Sequence, residues 1–153
     1  MYRIDDELKS FLESGIATIV GTGDEAGRPQ VAYAWGPRVA EGGALVDVFL
    51  DSERAEQTLA NLRANGRIAM TVADPMSLRS VQFKGRFQRT DDATEDDRAW
   101  VRQQREAFLV VTSLVGDPPS MIRNMWMDDV VRVTFEVDRA FDQTPGPDAG
   151  KAL

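Results

Sequence analysis

The sequence predicts a mainly β fold with flanking helices, in which six antiparallel strands form a small barrel. Six segments have the apolar or alternating pattern of strands, and several of them are separated only by short turn sequences. Strands joined by hairpins pair antiparallel, and six alternating strands close most easily as a barrel. The 153 residues contain neither an internal repeat nor a linker, so we expect one domain over residues 1–153.

A short helix and three strands are predicted in the first third of the chain. Residues 5–14 place their leucines and Phe11 on one helical face, and Gly15 ends the helix. The turn sequence GDEAGRP, with two glycines and a proline, predicts a hairpin between the first two strands. The three strands are expected at 16–22, 30–36 and 44–50.

A helix and two strands follow. Ser52 is the expected N-cap of the helix, apolar residues recur at i, i+4 and i+7, and Asn65-Gly66 is the stop. Residues 67–73 are expected to form a strand. Residues 79–89 alternate between apolar and polar side chains, which is the pattern of a half-buried strand.

A longer helix and a last strand complete the predicted fold. Thr94 with Asp97 three residues later is typical of a helix start, and Gly116 begins the stop. The apolar residues expected along the buried stripe of this helix are Trp100, Val101, Ala107, Phe108, Val111, Leu114 and Val115. Residues 130–138 alternate as a strand, and the Pro/Gly-rich residues 142–153 are expected to form an irregular tail.

Composition and charge restrict the classes of function. The net charge of −7 and the isoelectric point near 4.6 argue against nucleic acid or anionic membrane as a partner, although a single anion pocket is allowed. The N-terminus is acidic and amphipathic, unlike a signal peptide, and no apolar run approaches the roughly 20 residues of a membrane helix. We therefore expect a cytoplasmic protein.

The chain has neither cysteine nor histidine. Their absence excludes disulfides, thiol nucleophiles, the Ser-His-Asp arrangement and the commonest zinc and haem ligands. The acidic segments 91–97 and 128–129 are expected to be solvated rather than metal-binding, and the first falls at a helix start, where the helix dipole favours acids. An enzyme of this composition would take its reactivity from a bound cofactor, and no catalytic acid or base is indicated.

Arg54 lies in the first turn of the predicted helix, where exposed N–H groups and a partial positive charge favour anions over cations. One interpretation is an anion cup in which Ser52, the free N–H groups and Arg54 hold a phosphate, with Lys84 or Arg79 as a second cation. The alternative is a solvated arginine that pairs with helix neighbours such as Glu53. This stretch alone leaves both interpretations open.

Trp126 lies between two methionines and close to two acids, in a loop before the last strand. Its side chain could stack on a planar ligand or be buried in a dimer contact. Both interpretations stay open at this point.

Residues 44–85 contain, in order, a strand, the motif SERA at 52–55, a helix ending in NG, a second strand, a proline loop and the motif RSVQFKG. This order resembles the flavin-binding split barrel of the pyridoxamine 5′-phosphate oxidase-like family. In that family the strand-to-helix turn reads Ser-Arg-Lys-Ala and holds the phosphate of FMN, and Arg54 matches its phosphate-binding lysine. RSVQFKG is similar to the family's Arg-Gln-Val-x-x-x-Gly strand, with Ser80 in place of a glutamine that contacts the isoalloxazine. The resemblance implies a six-stranded antiparallel split β-barrel that binds FMN.

The resemblance also implies which residues contact the cofactor. The strand 30–36 is similar to the one whose backbone lines the flavin ring. The expected cofactor contacts are Gln30, Val31, Ala32, Tyr33, Phe49, Leu50, Ser52, Arg54, Arg79, Ser80, Lys84 and Trp126. Family members build two flavin sites from both subunits of a homodimer, so we expect a homodimer in which Trp126 stacks from the other subunit.

The implied activity is that of an FMN-dependent oxidoreductase acting on a small-molecule substrate. Pyridoxamine phosphate oxidase activity is not expected, because the family's Arg-x-His pair near the C-terminus is missing. Haem-degrading relatives use a histidine iron ligand, which is missing as well. Two alternatives stay open: a reductase that uses the deazaflavin F420, and a binding or sensor protein that holds flavin or another phosphorylated ligand without turnover.

Overall fold

Six antiparallel strands close into a barrel in the order β1-β2-β3-β6-β5-β4, which confirms the predicted fold. The structure is a computed structural model and describes residues 1–40 and 42–153. The strands are β1 Ala17–Gly23, β2 Pro29–Val39, β3 Leu45–Asp51, β4 Arg67–Ala73, β5 Ser80–Asp92 and β6 Val130–Asp142. The helices are α1 Asp6–Leu12, α2 Glu56–Asn65, α3 Glu95–Leu114 and α4 Pro119–Arg123, and a 3-10 turn at Ser52–Arg54 precedes α2.

Closure of the barrel depends on two pairings between strands that are distant in sequence, β1 with β4 and β3 with β6. Side chains alternate between the barrel interior and its outer surface, and the interior ones form one apolar core. The largest fully buried side chains of this core are Phe83, Phe135, Leu12, Leu50, Leu62 and Met70. A second, smaller cluster around Trp35 and Phe49 packs α3 against the barrel.

Strands β2, β5 and β6 are longer than the predicted segments 30–36, 79–89 and 130–138. β5 and β6 pair along most of their length, with a register shift between Lys84 and Gly85. A Cβ at position 85 would overlap a backbone carbonyl oxygen of β6, so only glycine allows this close approach. The end added to β5 is polar, and the ends added to β2 and β6 contain prolines, arginines or bulges that interrupt the apolar alternation on which the prediction depended.

The predicted N-cap at Ser52 is wrong. Residues Ser52–Arg54 form a 3-10 turn, and α2 begins at Glu56 after an Ala55 N-cap without a side-chain hydrogen bond. The N–H of Ser52 donates to the carbonyl oxygen of Asp129 at 3.1 Å, which extends the pairing of β3 with β6 beyond the ends of the two strands. The predicted stop is confirmed, since Gly66 follows α2 with a φ of 67°.

α3 begins as predicted, because Thr94 and Asp97 form a capping box. The short helix α4 was not predicted, since five residues are too few for a helical pattern to show. None of the helices in residues 1–40 and 42–153 is both long enough and apolar enough to cross a membrane.

The buried face of α3 is more polar than predicted. Val101 is buried, whereas Leu114 and Val115 are 70% and 47% exposed. Gln104 and Arg105 are buried instead, because both form hydrogen bonds to groups on the barrel side of the helix. Of the other predicted stripe residues, the partly buried ones are Trp100, Ala107, Phe108 and Val111.

The predicted tail starts one residue later than expected, since Asp142 still belongs to β6. Residues 143–153 form turns and then return to the barrel. The N–H of Leu153 donates to the carbonyl oxygen of Ala140 at 3.0 Å, and Ala152 forms an isolated bridge with Phe141. The tail is therefore irregular but anchored to the end of β6.

Candidate functional site

A pocket of about 170 Å³ lies between β2, β3 and the turn that precedes α2. The residues that line it are Gln30, Val31, Ala32, Tyr33, Leu50, Asp51, Arg54 and Ala55. The structure therefore brings the expected cofactor segment 30–33 together with two other expected residues, Leu50 and Arg54. We call this cavity the Arg54 pocket.

The Arg54 pocket forms because β2 extends beyond the end of β3. Pairing between the two strands begins at Ala34 opposite Leu50, so residues 30–33 lie past the paired end. Val31 and Tyr33 are 61% and 56% exposed, since alternate residues of this segment point away from the barrel core. The segment offers both backbone groups and exposed apolar side chains to a ligand.

The N-terminus of α2 supplies anion-binding groups to the pocket. Ala55 provides no side-chain cap, so the first N–H groups of the helix have no capping acceptor from that position. Arg54 directly precedes them, and its Nη1 donates to the carbonyl oxygen of Met125 at 3.3 Å. Within residues 1–40 and 42–153, no carboxylate lies within ion-pair distance of Arg54. The alternative interpretation, in which Arg54 pairs with Glu53, therefore does not describe this structure. The arrangement has the donors that a phosphate requires.

A buried ion pair forms part of the pocket wall. Asp51, at the end of β3, accepts a hydrogen bond from Arg105 of α3, with an Oδ1–Nη2 distance of 2.8 Å and side chains 3% and 7% exposed. Burial raises the pKa of the Asp51 carboxyl despite the opposing effect of Arg105, and burial lowers the pKa of Arg105. Because the two charges cancel, Asp51 opposes a bound anion less than a lone carboxylate would.

The sequence alone does not predict this pair, although it contains one signal for it. Arg105 lies four residues after Val101 and four before Leu109, both of which are buried, and a charged residue on a buried helical face requires a partner. The guanidinium carbon of Arg105 also lies 4.7 Å and 5.8 Å from the ring centroids of Trp35 and Trp126.

The loop 124–129 contacts both the Arg54 pocket and α3. The carbonyl oxygen of Met125 accepts from Arg54, and that of Met127 accepts from Arg105 at 2.8 Å. Trp126, between them, lines a second cavity of about 470 Å³ beside α3 and does not line the Arg54 pocket. In this chain, Trp126 is therefore separate from the segment 30–33.

Two further expected residues adjoin the Arg54 pocket without lining it. Ser52 lies in the turn, where its backbone N–H is bound to Asp129. Phe49 precedes Leu50 in β3, but its side chain is completely buried in the cluster around Trp35. Both residues are therefore adjacent in sequence to residues that line the pocket, but their own side chains do not line it.

The three expected residues of the RSVQFKG strand lie elsewhere. Arg79 pairs with Glu7 of α1, with 2.9 Å between Nη2 and Oε1. The hydroxyl of Ser80 donates to the carbonyl oxygen of Leu78 at 3.0 Å. Lys84 lines a separate groove on the outer surface of the barrel. In this chain, none of the three lines the Arg54 pocket.

Comparison with known proteins identifies the family. Residues 4–137, most of the chain, match the sequence profile of the family described as pyridoxamine 5′-phosphate oxidase. The chain belongs to this family. The resemblance inferred from SERA and RSVQFKG is confirmed, and the barrel is that of a pyridoxamine 5′-phosphate oxidase-like protein. No curated protein sequence matches the chain significantly.

Three solved structures share the fold of this family member, and their names give different ligands. An F420 reductase is 19% identical, with a TM-score of 0.57 over 90% of this chain and 98% of that one. An FMN-binding protein from Syntrophomonas wolfei is 14% identical, with a TM-score of 0.52 over 88% and 82%. The heme storage protein from Vibrio cholerae is 15% identical, with a TM-score of 0.50 over 92% and 95%. At these identities the likeness establishes the fold alone.

Proposed function

We propose that this member of the pyridoxamine 5′-phosphate oxidase family binds FMN and acts as an oxidoreductase on a small molecule. One observation carries the proposal: the exposed segment 30–33, the uncapped start of α2 and Arg54 meet in one pocket. This combination supplies donors for a phosphate beside a strand edge on which a planar ring can lie. The fold that the chain shares with an FMN-binding protein is consistent with the proposal.

The phosphate of FMN would lie at the start of α2. The N–H groups there carry the partial positive charge of the helix, and the guanidinium of Arg54 can donate two parallel hydrogen bonds to a phosphate. Arg54 is exposed and, among the described residues, its side chain donates only to the carbonyl oxygen of Met125, at 3.3 Å, so little interaction is lost when it turns to the ligand. Arg105 neutralises Asp51, the acid of the pocket wall.

The size of the Arg54 pocket supports a site that is completed by a second copy of the chain. Its volume of about 170 Å³ is below the roughly 300–1,000 Å³ of small-molecule sites, so it has room for the phosphate end of a flavin but not for the ring. Two of its lining residues, Val31 and Tyr33, form an exposed apolar face together with Ile19, which is directly opposite Tyr33. We propose that two copies pair through this face and cover the ring between them.

The bound flavin would supply the electron transfer, since the chain has no cysteine for thiol redox chemistry. The protein would hold the phosphate, orient the ring along residues 30–33 and exclude water with Val31 and Tyr33. No histidine or cysteine is present to serve as acid, base or nucleophile. The contribution that we propose for the protein is positioning and charge compensation.

F420 is the alternative cofactor, and binding or sensing without turnover is the alternative function. F420 is favoured only by the shared fold with an F420 reductase. Haem is not proposed, because histidine and cysteine, common protein ligands of haem iron, are absent from the sequence.

The experiment that tests the proposal is a visible absorption spectrum of the freshly purified protein, followed by the mass of any chromophore that heat releases. We expect two flavin bands and the mass of FMN. A single deazaflavin band would identify the cofactor as F420 instead of FMN. A colourless protein that takes up no added FMN would overturn the flavoprotein proposal. Anaerobic addition of NADH or NADPH should then bleach the bound flavin, whereas tight binding without reduction would support a sensor.

A further inference from the structure

A groove of about 580 Å³ runs over the outer surface of β1, β4, β5 and β6, separate from the Arg54 pocket. Its cationic lining residues are Arg67, Lys84, Arg86 and Arg139, and Asp138 is the only acid among the residues that line it. Four cationic residues therefore line one groove on a chain whose net charge is −7. We call this feature the basic groove.

The strand register places like charges directly opposite each other in the basic groove. Arg67 of β4 pairs with Arg86 of β5, and Lys84 of β5 pairs with Arg139 of β6. Lys84 and Arg86 are two residues apart, so both point to the outer face of the sheet. Like charges directly opposite in a sheet destabilise it. Folding alone gives no reason for this arrangement.

The protein itself compensates few of these charges. Nε of Arg86 lies 3.3 Å from Oδ2 of Asp138. Lys84 and Arg139 both lie against the ring of Phe141, at 5.0 Å and 5.7 Å from its centroid. In the part of the chain that the structure describes, no carboxylate is within ion-pair distance of either of them. A bound anion would relieve the repulsion.

The floor of the basic groove is kept open by glycine. Gly21 and Gly23 of β1 both line it, and a Cβ on Gly21 would meet only the carbonyl oxygen of Ala69, at 3.8 Å. Packing therefore does not require glycine at position 21, and its effect is to leave room above the sheet. Asn65 fixes one edge, since its side chain donates to the Gly23 carbonyl oxygen at 2.7 Å and accepts from the Arg67 N–H at 2.9 Å.

We propose that the basic groove binds a phosphorylated small molecule with at least two neighbouring phosphate charges, such as a nucleoside diphosphate. Two adjacent pairs of facing cations match two adjacent anionic groups, and guanidinium binds phosphate bidentately. The volume of about 580 Å³ is that of a small-molecule site. A nucleic acid would require a basic surface that continues beyond the groove, which the net charge of −7 opposes.

The groove site is distinct from the proposed FMN site. Gly21, in the groove, is directly opposite Val31, in the Arg54 pocket, so the two sites lie on neighbouring strands of the same outer face. The inference does not depend on FMN binding, because it stands on the charges and register of β4, β5 and β6.

The test is calorimetric titration of the full chain at low ionic strength with pyrophosphate, ADP and, as a ligand without phosphate, adenosine. We expect pyrophosphate and ADP to bind and adenosine not to bind. Lys84→Gln and Arg139→Gln should each weaken binding by about tenfold or more. The matched control is Arg63→Gln, which removes an exposed arginine of α2 outside the groove and should leave the affinity unchanged.

Thermal unfolding provides a second readout. Without ligand, Lys84→Gln should raise the melting temperature, because it removes the repulsion with Arg139, whereas loss of a structural contact would lower it. Pyrophosphate should stabilise the unmodified protein more than this variant, since a ligand stabilises the folded state according to its affinity.

Three outcomes would overturn the proposal. The first is that neither phosphate ligand binds, and the second is that the unmodified protein and the groove variants bind equally. The third is that FMN displaces pyrophosphate, which would place the pyrophosphate in the Arg54 pocket. If Lys84→Gln became monomeric and pyrophosphate bound to neither protein, the cations would belong to a contact between copies. FMN binding without pyrophosphate binding would reject this inference and leave the proposed function standing.

Discussion

The carboxylate of Asp51 and the guanidinium of Arg105 form an ion pair with 2.8 Å between Oδ1 and Nη2, and both side chains are almost completely buried. The pair connects the end of β3, in the wall of the Arg54 pocket, with the middle of α3. Arg105 also donates to the carbonyl oxygen of Met127, in the same loop whose Met125 accepts from Arg54. One buried guanidinium therefore holds both the pocket wall and the loop that contacts Arg54.

Arg105→Met should destabilise the protein by about 3–5 kcal/mol, because it leaves the Asp51 carboxylate buried without its partner. The measurement is the free energy of unfolding from urea titration. Adding Asp51→Asn to this variant should restore much of the loss, since removing both charges costs far less than removing one. A single variant as stable as the unmodified protein would show that the pair does not contribute to stability.

A second charged cluster holds the start of α3 against the barrel. Asp97 is 2% exposed and accepts from Arg38 at 2.7 Å and from Arg132 at 3.0 Å. Burial alone would raise the pKa of Asp97, but the hydrogen bonds from Thr94 and Arg38 and the charge of Arg132 outweigh it and lower the pKa. The charged form of Asp97 therefore stabilises the folded state.

Asp97→Asn should cost about 2–4 kcal/mol at pH 7, because it leaves two arginines without their shared carboxylate. A lowered folded pKa gives a contribution that is complete above the unfolded pKa of about 3.9 and is lost as the pH falls through the folded value. The difference in unfolding free energy between the two proteins should therefore be constant from about pH 5 to 7 and shrink below about pH 4. Asp96→Asn, at the exposed neighbouring position, is the control, and a pH-independent difference would contradict the prediction.

The sequence predicts strands well where apolar alternation and pairing coincide. Residues 67–73 were predicted to the residue, because β4 is paired on both sides and its inward side chains alternate strictly. The predicted last strand ends at residue 138, before the observed end of β6. The register shift after Val137 interrupts the alternation there, and the next buried residue is Ala140. A bulge of this kind follows from the partner strand and leaves no local pattern.

The candidate site was predictable where it depends on local motifs and not where it depends on tertiary register. Arg54 and the segment 30–33 are each recognisable from a few neighbouring residues. The ion pair of Asp51 with Arg105 joins positions 54 residues apart and depends on how α3 packs across β3. The basic groove is similar, since the sequence contains Lys84 and Arg139 but does not show that the strand register places them opposite each other.

Gly85→Ala should destabilise the protein by about 3 kcal/mol or more, because the new Cβ would overlap the carbonyl oxygen of Glu136 in the paired strand. Gly21→Ala is the matched control in a neighbouring part of the barrel, since its Cβ would lie 3.8 Å from the nearest atom. Its effect should be below about 1 kcal/mol. Equal melting temperatures for the two variants would contradict a close approach of β5 and β6 at Gly85.

The proposed homodimer predicts that a charge in the apolar face separates the copies. Tyr33→Glu should give the mass of one chain, 17.0 kDa, by light scattering, whereas the unmodified protein should give twice that mass. Leu114→Glu is the control, because Leu114 is 70% exposed on α3, away from the face formed by Ile19, Val31 and Tyr33. A monomeric unmodified protein in the presence of FMN, or a dimeric Tyr33→Glu, would count against the shared site.

Arg54→Ala should weaken FMN binding by about 1–3 kcal/mol, the range for a lost charged hydrogen bond, which is roughly 5–150-fold in affinity. The measurement is a fluorescence titration of the flavin-free protein with FMN and, separately, with riboflavin, which lacks the phosphate. Riboflavin should bind the two proteins equally, because Arg54 is proposed to contact only the phosphate, and Arg63→Ala should leave both affinities unchanged. If Arg54→Ala weakened riboflavin as much as FMN, the arginine would act on the ring or the fold. Among the residues that line the pocket, Arg54 is the one with a positively charged side chain. Unchanged affinity for FMN would therefore show that the phosphate does not bind at Arg54.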